Sequence, residues 1–251
     1  MEGASGVTAW DECAVDSPRY EFGRRMITQD VIAAIEGFRQ AGAERIVVSD
    51  GHGTGRNFIY EDLPSGVEYV TGPGSAAPLP FLDDTFDAAG IIGQHAKWNT
   101  PNAFLAHTQS SKTRRAMWVN GLEIGEIGQF AIAAGHHRVP IIFITGDLAA
   151  TREAQDLLGT VETVAVKEAS IATRGKCLAI NDAHRAIREG AQRSVGLIGK
   201  VKPYTVDLPM EVRVQHNETR FTEGPVRNGA ERVDPLTIRR VVDSQLDVYR
   251  V

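Results

Sequence analysis

Three stretches constrain the fold most: RIVVSDGH at residues 45–52, DAAGIIGQH at 87–95 and RVPIIFITGD at 138–147. Each is a short, near-continuous apolar run that stops abruptly at polar residues. A strand that is apolar on both faces must be covered on both faces, as in parallel sheets flanked by helices. The segments between such runs have helical spacing. ITQDVIAAIEGFRQAG sets Val31, Ile35 and Phe38 on one face, with Thr28 placed to cap the start and Gly42 the end. LAATREAQDLLG closes on Gly159 and leads into the strand TVAV. INDAHRAIREGAQRSVGLIG repeats Ile180, Ala183, Ile187, Ala191, Val195 and Ile198 at near-helical intervals.

The fold class expected is therefore α/β: a mostly parallel sheet with helices on both faces. From Lys202 onward the pattern changes to the alternation MEVRVQ, a glycine-containing loop and a final helical piece, PLTIRRVVDSQLDVYRV. This implies a C-terminal α+β elaboration (201–251) on a core formed by 1–200, in one domain spanning 1–251, without repeats, low-complexity tracts or a clear linker.

Bulk properties exclude several classes. A net charge of -5 and the absence of a Lys/Arg stripe argue against nucleic acid as a partner. Arg24 and Arg25, and Lys112 to Arg115, read as short solvated clusters. No apolar run approaches the roughly 18 residues of a membrane span, so no membrane partner is expected. No signal peptide is visible. Cys13 and Cys177 form neither a CxxC pair nor a disulfide framework, which points to a reducing cytoplasm.

In open parallel sheets, ligands sit beyond the carboxyl ends of the strands. Asp50 and His52 (SDGHG), His95 (GQHAKWNTP) and His107 (AFLAHTQ) collect there, and Glu126 falls where a VNG turn gives way to a helix. Imidazole and carboxylate donors without thiolate suit zinc, manganese or iron, and an open coordination position would serve hydrolysis. A lone His is more often a hydrogen-bonded loop or core residue, and no compact motif such as HExxH is present. The residues alone leave Glu123 and Glu126 as equal candidates. His136 and His137 suit the end of a helix, and His184 and His216 read as surface positions. Gly51, Gly53 and Gly55 fit turn geometry rather than a phosphate loop.

Read together, MEGASGV, RYEFGRRMITQDVIAAIEGFRQAGAERIVVSDGHG, GIIGQHAKWNTPNAFLAHT, VNGLEIGEIGQFAIAAGHHRVPIIFITGD and VAVKEASIATRGKCL resemble the D-aminopeptidase family over nearly the whole chain. The likeness is strongest from Arg19 to Asp147 and weakest after about Lys202. It implies a zinc metallopeptidase that removes N-terminal D-residues from short peptides, working in a ring-like homo-oligomer. It also implies site residues. Glu2 matches the Glu of the family's DxEG motif, His52 and His95 its two histidine ligands, Glu126 the Glu of NGxxIGE, and His107 the catalytic histidine beside two zinc ions.

Glu126 is thereby preferred over Glu123. The Asp of DxEG, which bridges both ions, and the first strand that carries it would precede Met1, so both are expected to be missing from this chain. Burying unpaired ladder groups is costly, and this favours a start codon further upstream over a true loss. The alternative is a non-catalytic peptide-binding or transport-associated protein with a degraded metal site; a nucleotide-binding reading of the GHGTG loop leaves His95 and Glu126 without a role.

Overall fold

The computed structural model describes residues 1–73, 79–224, 226 and 229–250. Its centre is a four-stranded sheet in the order β3-β6-β7-β8. β3 (Ala89–Gln94), β6 (Ile141–Asp147) and β7 (Glu162–Ile171) are parallel, and β8 (Arg174–Cys177) returns antiparallel along the edge. Every residue of β6 is buried, as its near-continuous apolar run requires of a strand paired on both sides and covered on both faces.

One face is covered by α1 (Tyr20–Gln40) and α4 (Ile180–Ser194), through Ala33, Ala34, Ile142, Phe143, Ala183 and Ile187. The other is covered by α2 (Glu126–His136) and α3 (Leu148–Leu158), through Ile127, Ala131, Ile144, Ala150 and Ala154. Asp147 accepts the Ala150 N–H at 3.0 Å and caps α3, and Gly159 ends that helix at φ +71°. The expected α/β class, with helices on both faces, is the observed one.

Two further sheets are formed among the described residues. β1 (Val47–Ser49) and β2 (Glu68–Val70) form a parallel pair. β4 (Arg114–Val119), β5 (Leu122–Glu123), β9 (Met210–His216), β10 (Glu231–Asp234) and β11 (Thr237–Val242) form an antiparallel sheet ordered β10-β11-β9-β4-β5. α2 packs on this sheet through Ile132 against Met117, Met210 and Val212. Asn120 and Gly121, both at positive φ, make the β4–β5 turn that delivers the chain to α2.

Residues 1–8 contain no strand, and among the described residues none bridges β1 and β3. A cavity of about 830 Å³ opens there, lined by apolar residues of α1, β1 and β3 such as Ile35, Val48 and Ile92, and by the His/Glu cluster described below. No helix of the described residues is long and apolar enough to cross a membrane.

Several expectations need correction. α1 begins at Tyr20, eight residues before Thr28, whose hydroxyl donates to the Arg24 carbonyl at 2.7 Å from inside the helix. Gly23 disguised that first turn; a Cβ there would come within 1.9 Å of the Glu12 carbonyl oxygen, so the glycine marks close packing and not a break. The final helical piece is instead strand β11 followed by a 3-10 turn, Gln245–Tyr249, with Val251 outside the described residues. β-branched Thr237, Ile238, Val241 and Val242 pair with β9, and tertiary pairing overrides the helical spacing.

The basic clusters are not merely solvated. Arg24 donates to the Phe58 carbonyl at 2.5 Å, and the Arg115 guanidinium lies 5.2 Å from the Trp98 ring. His184 and His216 are half-buried, and His184 Nε2 lies 3.4 Å from the fully buried Asp30.

Candidate metal centre

Five residues from distant parts of the chain meet at the carboxyl end of the central sheet. His95 follows β3 directly, His107 lies in the loop after it, and Glu126 is the first residue of α2. The His95 and His107 rings are stacked, with centroids 3.8 Å apart. Their Nε2 atoms lie 3.4 and 3.8 Å from Glu126 Oε1. One ligand atom from each of the three falls within 4.8 Å of the other two.

Beside them His52, in the loop after β1, sets its Nε2 3.0 Å from Glu2 Oε1. The other Glu2 oxygen lies 3.2 Å from the Met1 ammonium, which also donates to the Gly93 carbonyl. Glu2, His95 and His107 are buried, while Glu126 and His52 are half-buried.

The three imidazoles are oriented alike. Nδ1 of His95 faces the Ala96 carbonyl oxygen at 2.9 Å, Nδ1 of His107 faces that of Leu105 at 2.9 Å, and Nδ1 of His52 faces Asn57 Oδ1 at 3.2 Å. Each oxygen accepts from Nδ1–H and leaves Nε2 directed into the cluster, the arrangement that fixes ring and tautomer around metals. Inward-facing Nε2 atoms with two carboxylates form a hard-to-borderline donor set that fits zinc.

Electrostatics follows from this crowding. Burial works against the His95 imidazolium, but the Glu126 carboxylate outweighs it and raises the ring to about 9. In turn, burial opposes ionisation of Glu126, and His95 overcomes it to pull the carboxyl down to about 2. Glu2 is likewise held well below the usual carboxylate range, against its burial, by the Met1 ammonium and His52. His107 is lowered by burial and by the neighbouring His95 charge.

The supporting residues explain how irregular loops hold this geometry. Asp50, a candidate in the sequence, does not enter the cluster. Its carboxylate accepts from the backbone N–H of His52 (3.3 Å) and Asn57 (2.6 Å) and from the Asn57 amide (2.6 Å), which folds the SDGHGTGRN loop. Gly53 and Gly55, at φ +54° and +64°, provide its turns.

Gly3 has a close-approach role, because a Cβ there would sit 1.9 Å from the Gln94 carbonyl oxygen. Its N–H donates to Gly93 O at 3.0 Å and seats Glu2 against the end of β3. Gln109, at φ +61°, donates its backbone N–H to Glu126 Oε1 at 2.7 Å. Trp10 stands edge-on to His107 with ring centroids 5.5 Å apart, and buried Glu12 holds its turn by accepting from the Thr8 and Ala9 N–H groups.

Sequence reasoning missed Asn57, Gln109, Trp10 and Lys167. Only Lys167 left a signal, a lone cation within the apolar run TVAVKEAS. Glu123 lies in β5, and its backbone carbonyl accepts from Lys97 Nζ at 3.2 Å. His136 closes α2 and His137 caps it, as helix-end residues.

Comparison with known proteins identifies the family. The profile of the family described as D-aminopeptidase matches residues 1–251. A D-aminopeptidase of Bacillus subtilis (strain 168) is 32% identical over 210 residues, which is 82% of this chain and 74% of the relative. The solved structure of DppA from Bacillus subtilis, a Zn-dependent D-aminopeptidase and self-compartmentalizing protease, superposes with a TM-score of 0.93 at 27% identity, over 100% of this chain and 92% of that one. The chain belongs to the D-aminopeptidase family.

Proposed function

We propose that this protein is a zinc-dependent aminopeptidase that hydrolyses short peptides bearing an N-terminal D-residue. The observation that carries the reading is the convergence of His95, His107 and Glu126, with ligand atoms within 4.8 Å of one another, beside the Glu2–His52 pair. His95 and Glu126 would hold one zinc ion, and Glu2 and His52 a second. When bound, zinc polarises a scissile carbonyl and lowers the pKa of a water toward neutrality.

The chain's own residues supply the rest. His107 is the general base: burial and the charge near His95 lower its basicity and so favour the neutral ring, and its Nδ1–H on Leu105 O leaves Nε2 as the acceptor. It takes the proton of the attacking water and returns it to the departing amine. Stacking on His95 and the edge of Trp10 hold the ring against rotation, so the acceptor stays aimed at the reacting carbon.

Cys13 is buried and Cys177 exposed, both unpaired, which fits a reducing cytoplasm. A ring-like homo-oligomer follows by analogy with the self-compartmentalizing relative, and light scattering on the purified protein tests it.

The decisive assay compares hydrolysis of D-Ala-D-Ala and L-Ala-L-Ala by protein as purified, stripped with a chelator, and reloaded with zinc. The expected result is preferential release from the D-peptide, lost on stripping and restored by zinc. A zinc-loaded protein that leaves the D-peptide intact, or a protein that takes up no zinc, would overturn the reading.

A further inference from the structure

Lys167 lies in β7, 3% exposed, with Asp147 of β6 as its register partner. Its ammonium donates to three carbonyl oxygens of a single loop: Glu2 at 2.6 Å, Ala4 at 2.9 Å and Val7. It also stands 5.1 Å from the centroid of the Phe104 ring. A lysine has three donors and no acceptor, so all of its hydrogen-bonding capacity goes to this one loop.

The loop needs such a partner. Residues 1–8 form no helix or strand, so ladder partners do not serve their carbonyls. Asp30 and Gly93 serve the N–H side of the same loop, Asp30 accepting from Ser5 at 2.8 Å and Gly93 O from Gly3 at 3.0 Å. Lys167 serves the C=O side.

Burying an ammonium is costly, and Val164, Val166 and Ala169 show that this strand elsewhere buries apolar side chains. A methionine would fill the position more cheaply but remove the ammonium from the Glu2 and Val7 carbonyls and leave the Ala4 carbonyl only its bond from the Val7 N–H.

We propose that Lys167 is a positioning residue for the metal-binding carboxylate of Glu2. By gripping the Glu2 carbonyl itself and two more carbonyls downstream, it fixes where the Glu2 side chain leaves the backbone and so sets its approach to His52. Asp147 supports this indirectly. Its carboxylate accepts the Phe104 N–H at 2.7 Å, which seats the aromatic ring beside the ammonium. The proposal rests on Glu2 being a zinc ligand.

The test is a double-mutant cycle on the full chain, read as zinc affinity by competition with a chromophoric chelator, in wild type, Glu2→Gln, Lys167→Met and the double variant. Lys167→Met is expected to weaken binding of the ion assigned to Glu2 and His52 by about 10- to 100-fold. The same substitution should have almost no further effect once Glu2 is already Gln, because Lys167 acts through that carboxylate. Amide hydrogen exchange should quicken at residues 3–7 and stay unchanged in β6 and α4.

Should Lys167→Met not fold, Lys167→Arg is read the same way, since it keeps the charge but replaces a compact donor with a planar fork; a smaller loss is expected. Wild-type zinc affinity in whichever variant folds, or an equal loss with and without Glu2, overturns the proposal and leaves the metal site standing. Equal zinc binding by wild type and Glu2→Gln would instead remove the ligand reading, and the proposal with it.

Discussion

Replacing Glu126 with Gln isolates the interaction that organises the cluster. The wild-type carboxylate oxygen lies 3.4 Å from His95 Nε2. At an effective dielectric of about 20, that distance gives an attraction of about 5 kcal/mol. Burying both groups offsets part of it. The remainder can be read from either partner, because His95 rises from 6.5 to about 9 while Glu126 falls from 4.5 to about 2. At about 1.4 kcal/mol per pH unit, each gap is about 3 kcal/mol. The Glu126 side chain is 23% exposed, so screening trims the contribution to about 2 to 3 kcal/mol.

The sign follows from each partner. Raised His95 contributes stability fully present below pH 6.5 and lost as the pH climbs through about 9. Lowered Glu126 contributes stability present above pH 4.5 and lost as the pH falls through about 2. In the metal-free protein, urea unfolding of Glu126→Gln should therefore show its largest deficit between pH 4.5 and 6.5, with little left above about pH 10. In parallel, the His95 ring proton followed by NMR should titrate near 9 in wild type and at about 6.5 or lower in the variant. A His95 midpoint unchanged by the substitution, or a deficit that does not shrink at high pH, would show that the Glu126 carboxylate does not hold the proton on His95.

Three other outcomes are expected. Replacing His107 with Ala should lower turnover about 100- to 10,000-fold while leaving zinc content unchanged by elemental analysis, and loss of zinc would make it a ligand instead of the base. Zinc affinity should rise about tenfold per pH unit from pH 7 toward 9 and then level, because zinc must displace a proton that Glu126, against the effect of burial, holds on His95; a flat profile by competition titration would contradict this. Gly3→Ala should cost about 2 kcal/mol or more, and about 4 to 8 °C in Tm, since its Cβ would meet the Gln94 carbonyl oxygen at 1.9 Å; an unchanged Tm would show that the approach is not tight.

What the sequence disclosed tracks how local each signal is. β6 was legible because a strand buried on both faces has to be apolar over most of its length, and α3 because Asp147 and Gly159 bracket it. The strand-end positions of His52 and His95 were legible for the same reason: where the apolar run stops, the sheet's functional edge begins. Choosing Glu126 over Glu123 was not possible from periodicity, since the two differ only by which side of a tight turn they fall on. The start of α1 was hidden because Gly23 answers to a contact with Glu12, which lies outside the helix.

β11 was misread because its partner, β9, lies across a loop, and spacing alone reports nothing of cross-strand pairing. Asn57 and Gln109 were invisible because their roles consist of hydrogen bonds to residues that only tertiary folding brings near.

Glu2, His52, His95 and Glu126 are proposed to hold zinc in front of His107. Anomalous diffraction at the zinc edge from zinc-soaked crystals tests it most directly. Density is expected between His95 Nε2 and the Glu126 carboxylate, with further density between Glu2 and His52 Nε2. Zinc bound elsewhere while these four side chains keep only one another as partners would contradict it.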